Sequence, residues 1–200
     1  DILLILDEVI TGFGRIGTMF GMEQYGIVPD IATFAKGITS GYIPLGGVGV
    51  SREVFDVMSA QDRTFMHGFT YSGHPVATAV ALRNIQIIEE EKLAENAGTV
   101  GAYMLDELKK LSDRPYVGNV RGKGLMMMVE YVADKETKAK FDPAQQIGPR
   151  LEAATRQRGL IVRATPDGVA MSPPLILQKS EADEIVTRLA DAMDEVFGSL

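Results

Sequence analysis

The run "ILLIL", Ile2 to Leu6, does most to limit what this chain can fold into, because two adjacent acids, Asp7 and Glu8, stop it. Side chains alternate faces along a strand. A run that is apolar at every position therefore suits a parallel strand covered on both sides better than a half-solvated one. Such a strand needs neighbours, so the chain is expected to be the C-terminal part of something longer. Asp7, directly after the run, falls where open α/β sheets bind ligands, beyond the carboxyl ends of the strands.

Other segments repeat the pattern of strand, loop and helix. Ile31 to Ala35 is a second short apolar segment that closes on Lys36, and "GGVGVS" reads as a third strand. Ser51 is placed to cap the next helix, with Glu53 in its first turns. A long helix is expected from Pro75, with Val76, Val80, Ala81, Asn84 and Ile88 along one face. The next carries Leu93, Ala97, Val100, Met104, Leu105 and Leu108 at helical spacing. Beyond Pro115, "VRGKGLMMMVEYV" suggests a turn and a strand, with Met126 to Met128 in the core. Pro143 to Arg158 reads as a helix, and Leu160 to Arg163 and Val169 to Met171 as strands. Ser180 with Asp183 resembles a capping box for a last helix that buries Ile185, Leu189, Met193 and Val196. The alternation places the chain in the α/β class, with a first domain over 1–92 and a second over 93–200.

Composition removes several kinds of function. The formal net charge is −7 and no run of Lys or Arg stands out, which argues against a nucleic-acid partner. Cysteine is absent and His67 and His74 are the only histidines, so a thiolate or multi-histidine metal site is not expected. There is no apolar stretch long enough to span a bilayer and no signal peptide, so no membrane partner is expected and a cytoplasmic protein fits.

Asp7 and Lys36 are the positions that carry chemistry. An acid at a buried strand end needs a cation or hydrogen-bond donors, and it reads either as a cap or internal ion pair or as part of a ligand site. A buried lysine is held away from its charged form and becomes a nucleophile toward carbonyls. The same lysine can instead snorkel, with its head in water. Taken together, an amine that can hold an aldehyde and an acid that can pair with a pyridinium nitrogen are what pyridoxal phosphate asks of a protein.

"LLILDEVITGFGR", "DIATFAKGITSGYIPLGG", "HGFTYSGHP" and "GLIVRATPDGVAMSPPLIL", in that order, resemble the class III aminotransferases, the omega-transaminase-like members of fold type I. The resemblance implies part of a large cofactor-binding domain with a mostly parallel sheet, followed by a smaller C-terminal α/β domain. It implies pyridoxal 5'-phosphate as cofactor, Lys36 as the Schiff-base lysine and Asp7 as the partner of the pyridine nitrogen. Val9 would pack on one face of the ring, although valine alone reads as core. Thr70 would reach across a homodimer interface to the cofactor phosphate of the neighbouring subunit; alone it reads as a turn residue before a helix. Arg163 would bind a substrate carboxylate and swing aside for an uncharged group, where the other reading is a surface ion pair. His74 reads as structural, and Arg15 as a loop or interface residue.

The implied reaction exchanges an amino group between an amine or ω-amino acid and a 2-oxo acid. An aminomutase or decarboxylase of the same fold is the alternative within the cofactor class, and a non-catalytic α/β dimerisation module lies outside it. The family's phosphate-holding glycine/serine loop and its second ring-stacking residue have no match here. The chain is therefore expected to carry half of a site and to be inactive alone.

Overall fold

A computed structural model describes residues 2–60, 62 and 64–200. The chain divides into two compact units, 1–95 and 96–200, taken here in turn.

In the first unit, strand β1 (Ile5–Asp7), helix α1 (Gly21–Tyr25), strand β2 (Ile31–Phe34), strand β3 (Gly47–Val50), helix α2 (Arg52–Met58) and helix α3 (Pro75–Glu90) follow one another. The sheet has the order β1-β2-β3. Strands β1 and β2 run parallel, with Asp7 opposite Thr33, whereas β2 and β3 run antiparallel. The expected mostly parallel sheet is thus, among the described residues, one parallel and one antiparallel pair. Nor is the opening run buried. Only Ile5–Asp7 joins the ladder, and Ile2 is 97% exposed and Ile5 59%, because β1 has β2 on one side and no described strand on the other.

The helices follow local chemistry. The Ser51 hydroxyl accepts the Val54 amide at 3.4 Å and so caps α2. His74 Nδ1 accepts the Val76 amide at the start of α3, where Pro75 sits in the first turn. Its buried residues are Ala77, Ala81 and Ile88, while Val76, expected on that face, is exposed.

Helix α4 (Leu93–Lys109) begins at the division and leads into the second unit. That unit continues with strands β4 (Val117–Lys123) and β5 (Met126–Tyr131), helix α5 (Ile147–Gln157), strands β6 (Arg163–Thr165) and β7 (Gly168–Met171), and helix α6 (Lys179–Gly198). Its four-stranded sheet is antiparallel throughout, in the order β4-β5-β7-β6. One continuous core joins Ala97, Met104 and Leu108 of α4 to Val129 and Val169 of the sheet and Leu189 and Met193 of α6. Gly101 is part of this fit, since a Cβ there would run into the Gly124 backbone of the β4–β5 turn.

Four sequence expectations shift here, the first being the helix expected from Pro143: a 3-10 turn spans Pro143–Gln145, Gln146 is left-handed, and α5 starts at Ile147. Met127 is buried, but Met126 is exposed and Met128 half-buried, because strand residues alternate faces. The strand expected at Leu160–Arg163 instead starts at Arg163, where pairing with Ala170 begins. The last helix starts two residues earlier than a Ser180 box would place it, at Lys179, and the Gln178 amide donates to Glu181 Oε2 at 2.8 Å. Among the described residues no helix is long and apolar enough to cross a membrane.

Candidate active site

The parallel register fixes the geometry of the first unit's sheet end. Asp7 is the last residue of β1 and lies opposite Thr33, and the neighbouring strand runs on past Phe34 and Ala35 to Lys36. Parallel strands end on the same side, so this register brings the carboxylate and the amine to one edge of the sheet. Thr33 ties β2 to the end of β1: its hydroxyl donates to Asp7 Oδ1 at 3.4 Å, and its carbonyl accepts the Glu8 amide at 3.0 Å.

Asp7 Oδ1 also accepts the Val9 amide at 2.9 Å, which holds the carboxylate in place. Its Oδ2 has no hydrogen-bond partner among the described residues, and the side chain is exposed. A fixed carboxylate with one free oxygen fits a cationic N–H donor such as a protonated pyridine. Val9, half-buried, leaves the chain two residues further on.

Lys36 opens a 3-10 turn over Lys36–Ile38 and has a φ of +43°, the left-handed region in which an L side chain is strained. It is exposed, so the burial expected for it does not hold in this chain. A cavity of about 190 Å³ opens beside it, lined by Thr39, Gly41, Ile43, Pro44 and Leu45. Thr39, fully buried, donates to the Ile43 carbonyl at 2.7 Å and folds that loop back.

Two elements hold the lysine turn. On one side, a Cβ on Gly37 would lie 3.0 Å from the Phe13 Cβ and 3.3 Å from the Gly12 carbonyl, so the loop after β1 packs directly against it. That loop is anchored by Glu8, 2% exposed, whose carboxylate accepts the amides of Gly21 at 2.8 Å and Met22 at 2.6 Å and the Thr11 hydroxyl. On the other side stands Asn84 of α3, whose side-chain amide donates to the carbonyls of Gly37 at 2.8 Å and Ile38 at 3.1 Å. Sequence reasoning assigned neither Glu8 nor Asn84 to the site. Asn84 did carry a signal, since an amide on an apolar helix face needs partners.

The remaining expected residues belong to other segments of the chain. Thr70 is in the exposed loop before α3 and makes no hydrogen bond to Asp7 or Lys36. Arg15 lies in the β1–α1 loop, where desolvation lowers its guanidinium pKa below the ordinary value. Arg163 opens the edge strand β6 of the second unit, exposed and without an ion pair among the described residues.

The family model described as "Aminotransferase class-III" matches residues 1–193. Among curated proteins, "Uncharacterized aminotransferase y4uB" of Sinorhizobium fredii is 48% identical across all of this chain and 44% of its own length. The putrescine–pyruvate aminotransferase of Pseudomonas aeruginosa is 45% identical, again over the whole chain and 44% of its own length. Among solved structures, a thermostable (S)-enantioselective omega-transaminase from Thermomicrobium roseum superposes with a TM-score of 0.95 at 65% identity. That match covers 98% of this chain and 44% of the other. The chain thus spans less than half the length of these relatives.

Proposed function

Given that this chain belongs to the class III aminotransferase family, we propose that its residues serve amino-group exchange between an amine or ω-amino acid and a 2-oxo acid, with pyridoxal 5'-phosphate as cofactor. The observation that carries the reading is the register of β1 on β2, which sets Asp7 and Lys36 at one sheet edge. When bound, the cofactor supplies an electron sink that lets a bond at the substrate's amine-bearing carbon break.

Each side chain has its own task. Lys36 would hold the cofactor through its amine and, with that amine free, would move a proton at the substrate carbon as a general base. Asp7 keeps the ring nitrogen protonated through the free oxygen of its carboxylate, and its bonds to Val9 and Thr33 orient that oxygen. Val9 packs against the ring. Thr70 contributes its hydroxyl to the phosphate site of a second subunit, which makes the protein a homodimer. The exposure of Phe65, Met66, Phe69 and Tyr71 around Thr70 supports an interface there. Arg163 takes a substrate carboxylate, which its freedom from ion pairs among the described residues supports.

The division of labour follows the family. Residues 1–92 form part of a large cofactor-binding domain and 93–200 the small domain, and we place the protein in the cytoplasm. The apolar surface left open on the first unit, from Ile2 to Ile5 and at Val48 and Val50, supports a larger parent domain. A full-length protein that contains this chain should transfer an amino group from an ω-amino acid to a 2-oxo acid, and Lys36→Ala in it should lower the rate by about a thousandfold or more. Transfer that persists undiminished in Lys36→Ala would refute the assignment.

A further inference from the structure

We propose that Asn84 is a positioning residue for Lys36, fixing the left-handed backbone from which the amine leaves the sheet edge; this rests on the reading of Lys36 given above. The turn from Lys36 to Ser40 contains two non-glycine residues with positive φ, +43° at Lys36 and +50° at Ser40. Such residues persist only where their surroundings determine them. Inside the turn the restraint is local: the Ile38 amide reaches the Ala35 carbonyl at 3.1 Å, the Thr39 amide the Lys36 carbonyl at 3.2 Å, the Ser40 amide the Gly37 carbonyl at 3.3 Å, and the Thr39 hydroxyl the Ile43 carbonyl at 2.7 Å.

Asn84 supplies the missing restraint from 44 to 47 residues away in sequence. Its two N–H groups go to the carbonyls of Gly37 and Ile38, and its Oδ1 accepts the Ser40 hydroxyl at 2.7 Å. Every hydrogen-bonding group of the amide is directed at this one turn. The two carbonyls lie in the peptide planes Gly37–Ile38 and Ile38–Thr39, the two that come after the Lys36–Gly37 plane, so Asn84 fixes the stretch of turn that directly follows the lysine. A sixteen-residue helix, α3, therefore serves as the rigid mount for a strained three-residue turn. The opposite side is already closed by Phe13 against Gly37, so releasing the carbonyls lets the turn relax away from the sheet edge.

Two variants separate the parts of the claim. Asn84→Ala removes all three bonds, and Asn84→Asp keeps the shape and the acceptor but removes both donors. In each, exchange of the Ile38, Thr39 and Ser40 amides should quicken about tenfold. The carbon shifts of Lys36 should move off left-handed values, and amides in the middle of α3 should exchange as before. Capture of pyridoxal phosphate at Lys36, trapped with borohydride and compared with Lys92 in the same sample, should fall in both variants. Lys92 is a suitable reference, being exposed and also left-handed, at φ +52°.

Unchanged turn exchange and shifts in both variants would overturn the proposal. So would an equal rise throughout α3, which would make Asn84 a helix-packing residue only. If Lys36 of the unaltered chain were captured no better than Lys92, the functional reading of the lysine would fail instead. The exchange and shift measurements would still decide the role of Asn84.

Discussion

Adjacent residues leave a strand toward opposite faces, and at the end of β1 this separates two carboxylates of nearly the same chemistry. Glu8 turns inward and is enclosed by donors from Thr11, Gly21 and Met22, which is the satisfaction a buried acid requires. Asp7 turns outward with one oxygen bound and the other open. Asp7 was singled out in the sequence, but the inward turn of Glu8 and its enclosure by three donors were not legible there. If Asp7 holds a protonated ring nitrogen, Asp7→Asn should lower kcat/KM for the amine donor by about 10²–10³-fold. Its amide oxygen can still accept the Val9 N–H, so circular dichroism should remain unchanged. An Asp7→Asn protein within a few-fold of the parent would show that the charge plays no part. Lys36 teaches the converse. Its isolation from other charges was legible, whereas burial was not, because exposure depends on what covers the sheet edge and not on the local sequence.

At the scale of elements, helices with strong periodicity and clear ends were legible: Pro75 starts α3, and the Ala97, Val100, Met104 and Leu108 stripe of α4 is buried as its spacing requires. Edges set by pairing were not. Strand β6 begins where Arg163 meets Ala170 of β7, and no local feature of "GLIVR" marks that point. The start of α6 escaped because glutamine is a weak cap, and its box works through the backbone amide of Gln178. Packing of α4 on the β4–β5 turn is equally nonlocal. Gly101→Ala should cost about 1–3 kcal/mol through overpacking against Gly124, seen as a lower melting temperature of the second unit. No change in melting would mean the turn gives way freely.

A second test at this scale uses acid. Arg114 donates two bonds to Asp194 of α6, Nε to Oδ1 and Nη2 to Oδ2, both at 2.8 Å. That fork holds the Asp194 carboxyl down at about 2, below the ordinary carboxylate value. A depressed folded pKa means stabilisation that is complete above about pH 4, the unfolded value, and lost as the pH falls toward about 2. With Asp194 54% exposed, screening leaves this at roughly 0.5–1 kcal/mol. Asp194→Asn should lower stability at neutral pH by that amount and flatten the acid limb of the unfolding curve over this window. A limb unchanged by the substitution would assign the acid loss to other carboxylates.

Across the whole molecule the two units differ in how far they enclose themselves. The second has a single contiguous core from α4 to α6. The first has a short list of buried apolar residues, including Phe13, Ile16, Ala81 and Ile88, and leaves much of β1 and β3 open. The residues proposed to hold the cofactor all lie in this less enclosed unit. The functional claim therefore depends on one sheet edge being correctly formed, and that can be asked directly of the chain. Incubation with pyridoxal phosphate, reduction with borohydride and peptide mass spectrometry locate the lysine that captures the aldehyde. Reduced cofactor is expected on Lys36 in excess of every other lysine. Label spread evenly over the exposed lysines, or concentrated on another one, would contradict the functional claim.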